Sequence, residues 1–161
     1  YVIYQSSICP AILSNGVTWS YRALDAQAMK EAASVFLGTH DFSSFRAIGC
    51  QANTPIRTIL NFDVQQVGQY IILDVRANAF LHHMIRNFAG VLMSIGAGEK
   101  PIAWAKKTLD AKDRTKGGIT APPTGLYFVG VEYPEHFNVP FCKLGPHFLP
   151  YIEESSYAVP S

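Results

Sequence analysis

The spacing of apolar and polar positions predicts strands and helices along the chain. The opening residues YVIYQ are rich in apolar and β-forming side chains, which is typical of a strand. After Asp25, apolar side chains recur at helical spacing between Met29 and Leu37, and Gly38 follows them. An aspartate at the start and a glycine at the stop are common helix ends, so this segment predicts an amphipathic helix that Asp25 caps.

Two runs in the middle of the chain predict a β-hairpin. Residues 56–65 and 70–77 are rich in β-formers and flank the short turn sequence VGQ. In the second run Ile71, Leu73 and Val75 alternate with other positions, which predicts one buried face. Residues 39–55 before the hairpin are aperiodic and too long for a simple connector, which indicates a functional or packing loop.

The second half of the chain predicts two helices and a last strand. Residues 82–95 are apolar almost all round, which predicts a buried helix that ends at Gly96 and Gly98. Pro101 opens another helix, to about residue 111, and a Gly- and Pro-rich loop follows. The sequence LYFVGVEYP at residues 126–134 is strongly β-prone.

The order β, α, β-hairpin, α, α, β predicts an α+β fold. In such a fold a largely antiparallel sheet is covered by helices on one face. Residues 1–149 then form the domain, and residues 150–161, which show no periodicity, are expected to be a loosely ordered tail.

Composition indicates one globular domain with a sizeable core. The 161 residues are 48% hydrophobic and 16% charged, and the formal net charge of +1 gives no global signal for nucleic acid binding. Cys9, Cys50 and Cys142 include no CxxC pair, which favours a reducing cytoplasm over a disulfide framework or a zinc site. The apolar run at residues 81–95 is too short and too interrupted to span a bilayer.

Arg86 is the most unusual residue of the apolar segment. It is the only formal charge between Arg76 and Glu99. A charge buried without a partner costs several kcal/mol, and residues three or four positions apart meet on a helix face, yet none of those positions around Arg86 is a carboxylate. Either Arg86 is a snorkelling or structurally paired arginine, or its counter-ion comes from elsewhere in the fold.

Other polar residues offer candidate chemistry, each with a simpler structural interpretation. His82 and His83 could bind a metal, but adjacent helical residues diverge by about 100° and no further ligand follows at helical spacing, so we expect no metal site. Asp41 and Arg46 could form an acid–base pair, although a loop salt bridge is the commoner role. The basic residues between positions 106 and 116 could bind RNA, although a solvated helix face more often has this pattern.

Arginines mixed with aromatic rings suit single-stranded RNA, where bases stack on rings and phosphates meet arginines. The candidate RNA-binding residues are Phe45, Arg46, Arg57, His82, His83, Lys112 and Arg114.

Four long motifs occur in one order along the chain: LGTHDFSSFRAIGCQANTPIRTI, FLHHMIRNFAGVLMSIGAG, AKDRTKGGITAPPTGLYFVGVEYP and LGPHFL. Together they resemble the C-terminal half of TruA-type tRNA pseudouridine synthases. The resemblance runs collinearly to about residue 149 and so covers nearly the whole chain.

The resemblance implies a function in tRNA modification. In this family a uridine of the tRNA anticodon stem-loop is detached from its ribose, turned and rejoined through carbon, with no metal, cofactor or energy source. Arg86 matches the arginine of the HHMxRN motif, which pairs with the essential aspartate. Leu126 matches an apolar residue that packs near the target base, and its neighbour Tyr127 belongs to the same motif and is a further candidate RNA contact.

The family's nucleophilic aspartate is not matched in this chain. It belongs to a GRTDAGVHA motif of the N-terminal half, and RALDAQAM around Asp25 lacks the Gly-Val-His that would follow, so Asp25 is interpreted as a helix cap. We therefore expect the chain to be the C-terminal domain of a longer, homodimeric enzyme, inactive without its N-terminal half. The alternative is a stand-alone RNA-binding module without catalysis.

Overall fold

The computed structural model describes residues 1–140 and 145–149, and Cys142 and the predicted tail at residues 150–161 lie outside them. The chain divides into two units, Tyr1–Leu126 and Tyr127–Ser161. Within the described residues, no helix is both long and apolar enough to cross a membrane.

A five-stranded sheet forms the framework of the first unit, in the order β2-β1-β5-β4-β3. The strands are β1 (Val2–Gln5), β2 (Thr18–Ser20), β3 (Gly38–Asp41), β4 (Ile56–Val67) and β5 (Tyr70–Ala77). The pair β1 and β2 is parallel, and the other neighbours are antiparallel. This largely antiparallel sheet confirms the predicted α+β class.

The predicted hairpin forms the centre of this sheet. β4 and β5 pair from Val67 opposite Tyr70 outward, with one irregularity between Ile59 and Asn61. Gly68 sits in the turn at φ +59°, a left-handed conformation that favours glycine. The two short strands β2 and β3 were not predicted, because TWS and GTHD are too short and too polar to show a strand pattern.

Three helices complete the unit: α1 (Ala26–Ala33), α2 (Met84–Gly96) and α3 (Ala103–Ala111). The Asp25 side chain accepts a hydrogen bond from the Ala28 backbone N–H at 3.0 Å, which confirms the predicted cap. A cluster of five phenylalanine rings lies in the core, with Phe88 of α2 in contact with the other four. These are Phe36, Phe42, Phe45 and Phe62.

The predicted start of the second helix and the predicted last strand are wrong. α2 begins at Met84, not at His82, because His83 has φ +63° and so interrupts the helical conformation. The β-prone residues 126–134 form no strand with any described part of the chain. β-propensity measures how well side chains fit a pleated surface, and it does not by itself supply the neighbouring strand that a sheet requires.

Candidate active site

Arg86 lies in the first turn of α2 and is half-buried. Its side-chain Nε–H donates to the Ala121 carbonyl at 2.8 Å, and the Ala121 N–H donates to the Arg86 carbonyl at 3.1 Å. The arginine is therefore fixed, through its Nε and through its backbone, to one residue of the segment that follows α3.

The charge of Arg86 is not neutralised within the part of the chain that the structure describes. Its guanidinium forms no ion pair there, whereas Arg22 pairs with Glu99, Lys30 with Asp63 and Lys106 with Asp110. A guanidinium has five N–H donors, and Ala121 occupies only the one on Nε. The two Nη groups of Arg86, with four N–H donors, thus have no hydrogen-bond partner among the described residues.

The segment that holds Arg86 comprises residues 117–126, which we call the Ala121 loop. It approaches α2 at Gly90, where an added Cβ would lie 1.8 Å from the Ile119 carbonyl oxygen. It approaches β1 at Gly125, whose carbonyl accepts from the Val2 N–H at 2.8 Å and where an added Cβ would lie 2.3 Å from the Val2 oxygen. Only glycine permits either approach, so the backbone of the loop packs directly against α2 and β1.

Tyr1 secures the same loop from the sheet. Its hydroxyl donates to the Pro122 carbonyl at 2.7 Å and lies 2.5 Å from Thr18 Oγ1, which in turn donates to the Thr124 carbonyl. Burial raises the pKa of the Tyr1 hydroxyl to about 12, while the Thr18 hydrogen bond and the positive charge of Arg86 act in the opposite direction. The phenol therefore stays protonated at neutral pH.

Leu126 ends the Ala121 loop. Its N–H donates to the Pro123 carbonyl at 3.2 Å, and 45% of its surface is exposed although it is a large apolar residue. One loop thus carries both the carbonyl that orients Arg86 and the apolar side chain predicted to lie near the target base.

Three of the candidate RNA-binding residues, Phe45, Arg46 and Arg57, make contacts inside the protein. Phe45 is fully buried in the phenylalanine cluster, so the prediction that its ring contacts RNA is wrong. Arg46 donates to the carbonyls of Cys50 and Ala52 at 2.6 and 2.7 Å, and Arg57 donates to the carbonyls of Thr54 and Ile56. Both arginines therefore stabilise the loop before β4 through hydrogen bonds to its carbonyl groups.

The predicted pairing of Asp41 with Arg46 is wrong as well. Asp41 accepts hydrogen bonds from the backbone N–H and hydroxyl of Ser43, at 3.0 and 2.6 Å. The hydroxyl bond is the main reason that the pKa of the Asp41 carboxyl is lowered.

Of the remaining candidates, two are histidines that immediately precede α2. His82 is exposed and His83 half-buried, with their ring centroids 4.0 Å apart. Loss of solvent lowers the pKa of His83, and the positive charges of His82, Arg86 and Arg114 lower it further. Arg86 and Arg114 therefore lie close enough to His83, at the start of α2, to disfavour its protonation.

Lys112 is exposed at the end of α3, in a left-handed conformation at φ +49°. Tyr127 belongs to the second unit, where its ring lies 6.2 Å from that of Phe148.

Arg114 is held inside the first unit. It donates to the Gly118 carbonyl at 2.9 Å, to Asn87 Oδ1 at 3.0 Å and to Thr120 Oγ1 at 2.7 Å. The buried Asn87 also donates to the Phe45 carbonyl at 2.7 Å. Sequence reasoning missed Asn87 and Ala121, and the available signal was the polar Asn87 inside an apolar run next to Arg86.

Comparisons with known proteins identify the family to which the chain is similar. A family model described as tRNA pseudouridine synthase matches residues 32–134. The tRNA pseudouridine synthase A of Pseudomonas aeruginosa is 58% identical over 149 residues, which cover 92% of this chain and 52% of the relative. Proteins of the same description from Pseudoalteromonas atlantica and Coxiella burnetii are 54% and 49% identical, over 57% and 58% of their lengths.

The chain therefore spans about half the length of the curated relatives it matches. The family model covers more than half of the chain, and the resemblance carried by the HHMxRN and APPTGLYF segments is confirmed. This chain belongs to the tRNA pseudouridine synthase family.

Proposed function

We propose that the chain acts as the C-terminal half of a TruA-type tRNA pseudouridine synthase, which isomerises uridine to pseudouridine in the anticodon stem-loop. The observation that carries the proposal is Arg86, held through Nε by Ala121 while its two Nη groups have no partner among the described residues. The N-terminal half of the same protein would supply the nucleophilic aspartate. The parent would be a cytoplasmic homodimer that needs no cofactor.

The proposed reaction conserves all atoms of the nucleotide. The bond between N1 of uracil and C1′ of ribose breaks, the base turns, and C5 bonds to C1′. The hydrogen on C5 leaves as a proton, and N1 gains a proton. Because reactant and product have the same composition and oxidation state, the reaction requires positioning, a nucleophile and proton transfer, and no oxidant or reductant.

Arg86 would stabilise the ionised form of the aspartate. A cation within about 4–6 Å of a carboxyl favours its charged form, which is the form required of a nucleophile. Since Ala121 occupies Nε, we propose that the two Nη groups meet the carboxylate end-on. Leu126, exposed at the end of the Ala121 loop, would give the target base an apolar surface.

Tritium release from tRNA labelled at C5 of uridine tests the proposal, because C5 loses its hydrogen in the reaction. In the full-length enzyme we expect Arg86→Ala to reduce the rate on the order of a hundred-fold or more, since it leaves the carboxylate without its partner. Arg86→Lys keeps the charge but loses the planar fork, so its activity should be intermediate.

A matched control is Arg22→Ala, which removes an exposed arginine paired with Glu99. It should retain nearly full activity, because exposed ion pairs contribute at most about 1 kcal/mol. Full activity in Arg86→Ala would contradict the proposal. A full-length protein that binds tRNA but releases no tritium would instead support the non-catalytic RNA-binding module.

A further inference from the structure

Arg114 has the environment of an internal structural arginine, although its sequence context suggested an RNA contact. Its guanidinium is half-buried and donates three hydrogen bonds to uncharged acceptors: the Gly118 carbonyl, Asn87 Oδ1 and Thr120 Oγ1. Thr120 also donates to Asn87 Oδ1 at 2.7 Å, so the three side chains form a closed set of contacts.

These contacts lie directly beside the pair that fixes Arg86. Asn87 follows Arg86 on α2, and Thr120 precedes Ala121 in the Ala121 loop. The Arg114 guanidinium therefore joins the helix to the loop one residue away from the Arg86–Ala121 hydrogen bonds. Asn87 is 2% exposed and is anchored further by its bond to the Phe45 carbonyl, so the helix side of this link is rigid.

We propose that Arg114 is a positioning residue for Arg86: by tying Thr120 and Gly118 to Asn87, it fixes the Ala121 carbonyl and hence the direction of the Arg86 guanidinium. The inference rests on the proposed function of Arg86. Arg114 itself touches neither substrate nor the reacting atoms. A catalytic group loses efficiency when its supporting residues allow it to shift by a fraction of an ångström. The hydrogen bonds of Arg114 would prevent such a shift of Arg86.

The test replaces Arg114 in the full-length enzyme with glutamine and with lysine. Arg22→Gln is the matched control, since Arg22 is an exposed arginine outside the contacts of Arg86 and Arg114 and loses the same charge. We expect Arg114→Gln to lower kcat on the order of ten- to a hundred-fold, with KM for tRNA changed less than about two-fold. Arg114→Lys should also be impaired, because one ammonium cannot serve three acceptors in a fixed plane.

A double-mutant cycle separates positioning from other roles. If Arg114 acts through Arg86, then in an Arg86→Lys background Arg114→Gln should lower kcat by less than about three-fold, because the geometry it maintains is already lost. Equal fold losses in both backgrounds would overturn the proposal. If Arg114→Gln unfolds the enzyme, Thr120→Val replaces it in the cycle, since that change removes one acceptor and keeps the cation.

The salt dependence of tRNA binding distinguishes an RNA contact. Each phosphate contact contributes a slope of about 0.7 to 0.9 to the fall of log K with log salt. We expect Arg114→Gln to leave this slope unchanged. A slope reduced by about one unit, with normal kcat at saturating tRNA, would assign Arg114 to phosphate binding and refute the positioning role.

The two proposals fail in different ways. Full activity in Arg86→Ala overturns the role of Arg86. An inactive Arg86→Ala combined with independent, multiplicative effects of Arg114→Gln overturns only the role of Arg114.

Discussion

Replacing Gly90 with alanine would place a methyl group against the backbone of the Ala121 loop. The new Cβ would lie 1.8 Å from the Ile119 carbonyl oxygen, 3.0 Å from the Ile119 carbonyl carbon and 3.5 Å from the Ala121 nitrogen. Ordinary contact begins near 3.4 Å, so the loop and helix must separate by about 1.5 Å. A backbone carbonyl cannot turn aside as the end of a side chain can.

Two opposing effects set the magnitude. Alanine is favoured over glycine in a helix interior by about 1 kcal/mol. Against this, the separation disrupts both hydrogen bonds between Arg86 and Ala121, at about 1 kcal/mol each, and inserting an extra methyl group into a packed site costs about 1–3 kcal/mol. We therefore expect Gly90→Ala to lower the free energy of unfolding by about 2–4 kcal/mol.

Denaturant unfolding of the chain measures this change, and Gly96→Ala is the control. An added Cβ at Gly96, in the same helix, meets Met29 Sδ at 2.8 Å and Met29 Cγ at 2.9 Å, which belong to a flexible side chain that can adjust. Gly96→Ala should cost less than Gly90→Ala. If Gly90→Ala is as stable as the original chain or more so, helix propensity dominates and the loop is not seated on α2 as described.

Three further predictions concern stability, activity and binding. Burial raises the pKa of Tyr1 to about 12 from 10.0, so the unfolded chain loses the phenolic proton first, and stability should fall by about 2–3 kcal/mol as pH rises from 10 to 12. Tyr1→Phe should abolish this alkaline loss in pH-dependent unfolding, and an unchanged loss would assign it to another group. Asp25→Ala should lower the free energy of unfolding by about 1 kcal/mol through loss of the bond to Ala28, and no change would show that the cap is dispensable. The chain alone should release no tritium from labelled tRNA and should bind an anticodon stem-loop weakly and with strong salt dependence, whereas tight, salt-insensitive binding would favour the stand-alone module.

The sequence predicted those helices and strands whose ends and apolar faces depend on residues close together in the chain. The hairpin followed from the alternation of residues 70–77 around a short turn, and the start of α1 followed from Asp25. Helical spacing alone also predicted that no carboxylate of its own helix lies near Arg86. In the structure, no carboxylate of the described residues forms an ion pair with Arg86.

Long-range contacts escaped prediction because no local pattern encodes them. Ala121 is 35 residues from Arg86, and Asn87 is 27 residues from Arg114, so neither partner could be identified from spacing. The same reason explains the error over residues 126–134, whose β-propensity is clear but whose strand would need a partner backbone. Phe45 was mistaken for an RNA contact because burial of an aromatic ring in a loop depends on packing against α2.

The most direct measurement is the distance from the Arg86 guanidinium to the nearest carboxylate in an experimental structure of the full-length enzyme. We expect an aspartate of the N-terminal half within about 4 Å of the Arg86 Nη groups, with the Nε bond to the Ala121 carbonyl retained. Arg86 Nη groups that face solvent, or that pair with a carboxylate of residues 1–161, would contradict it.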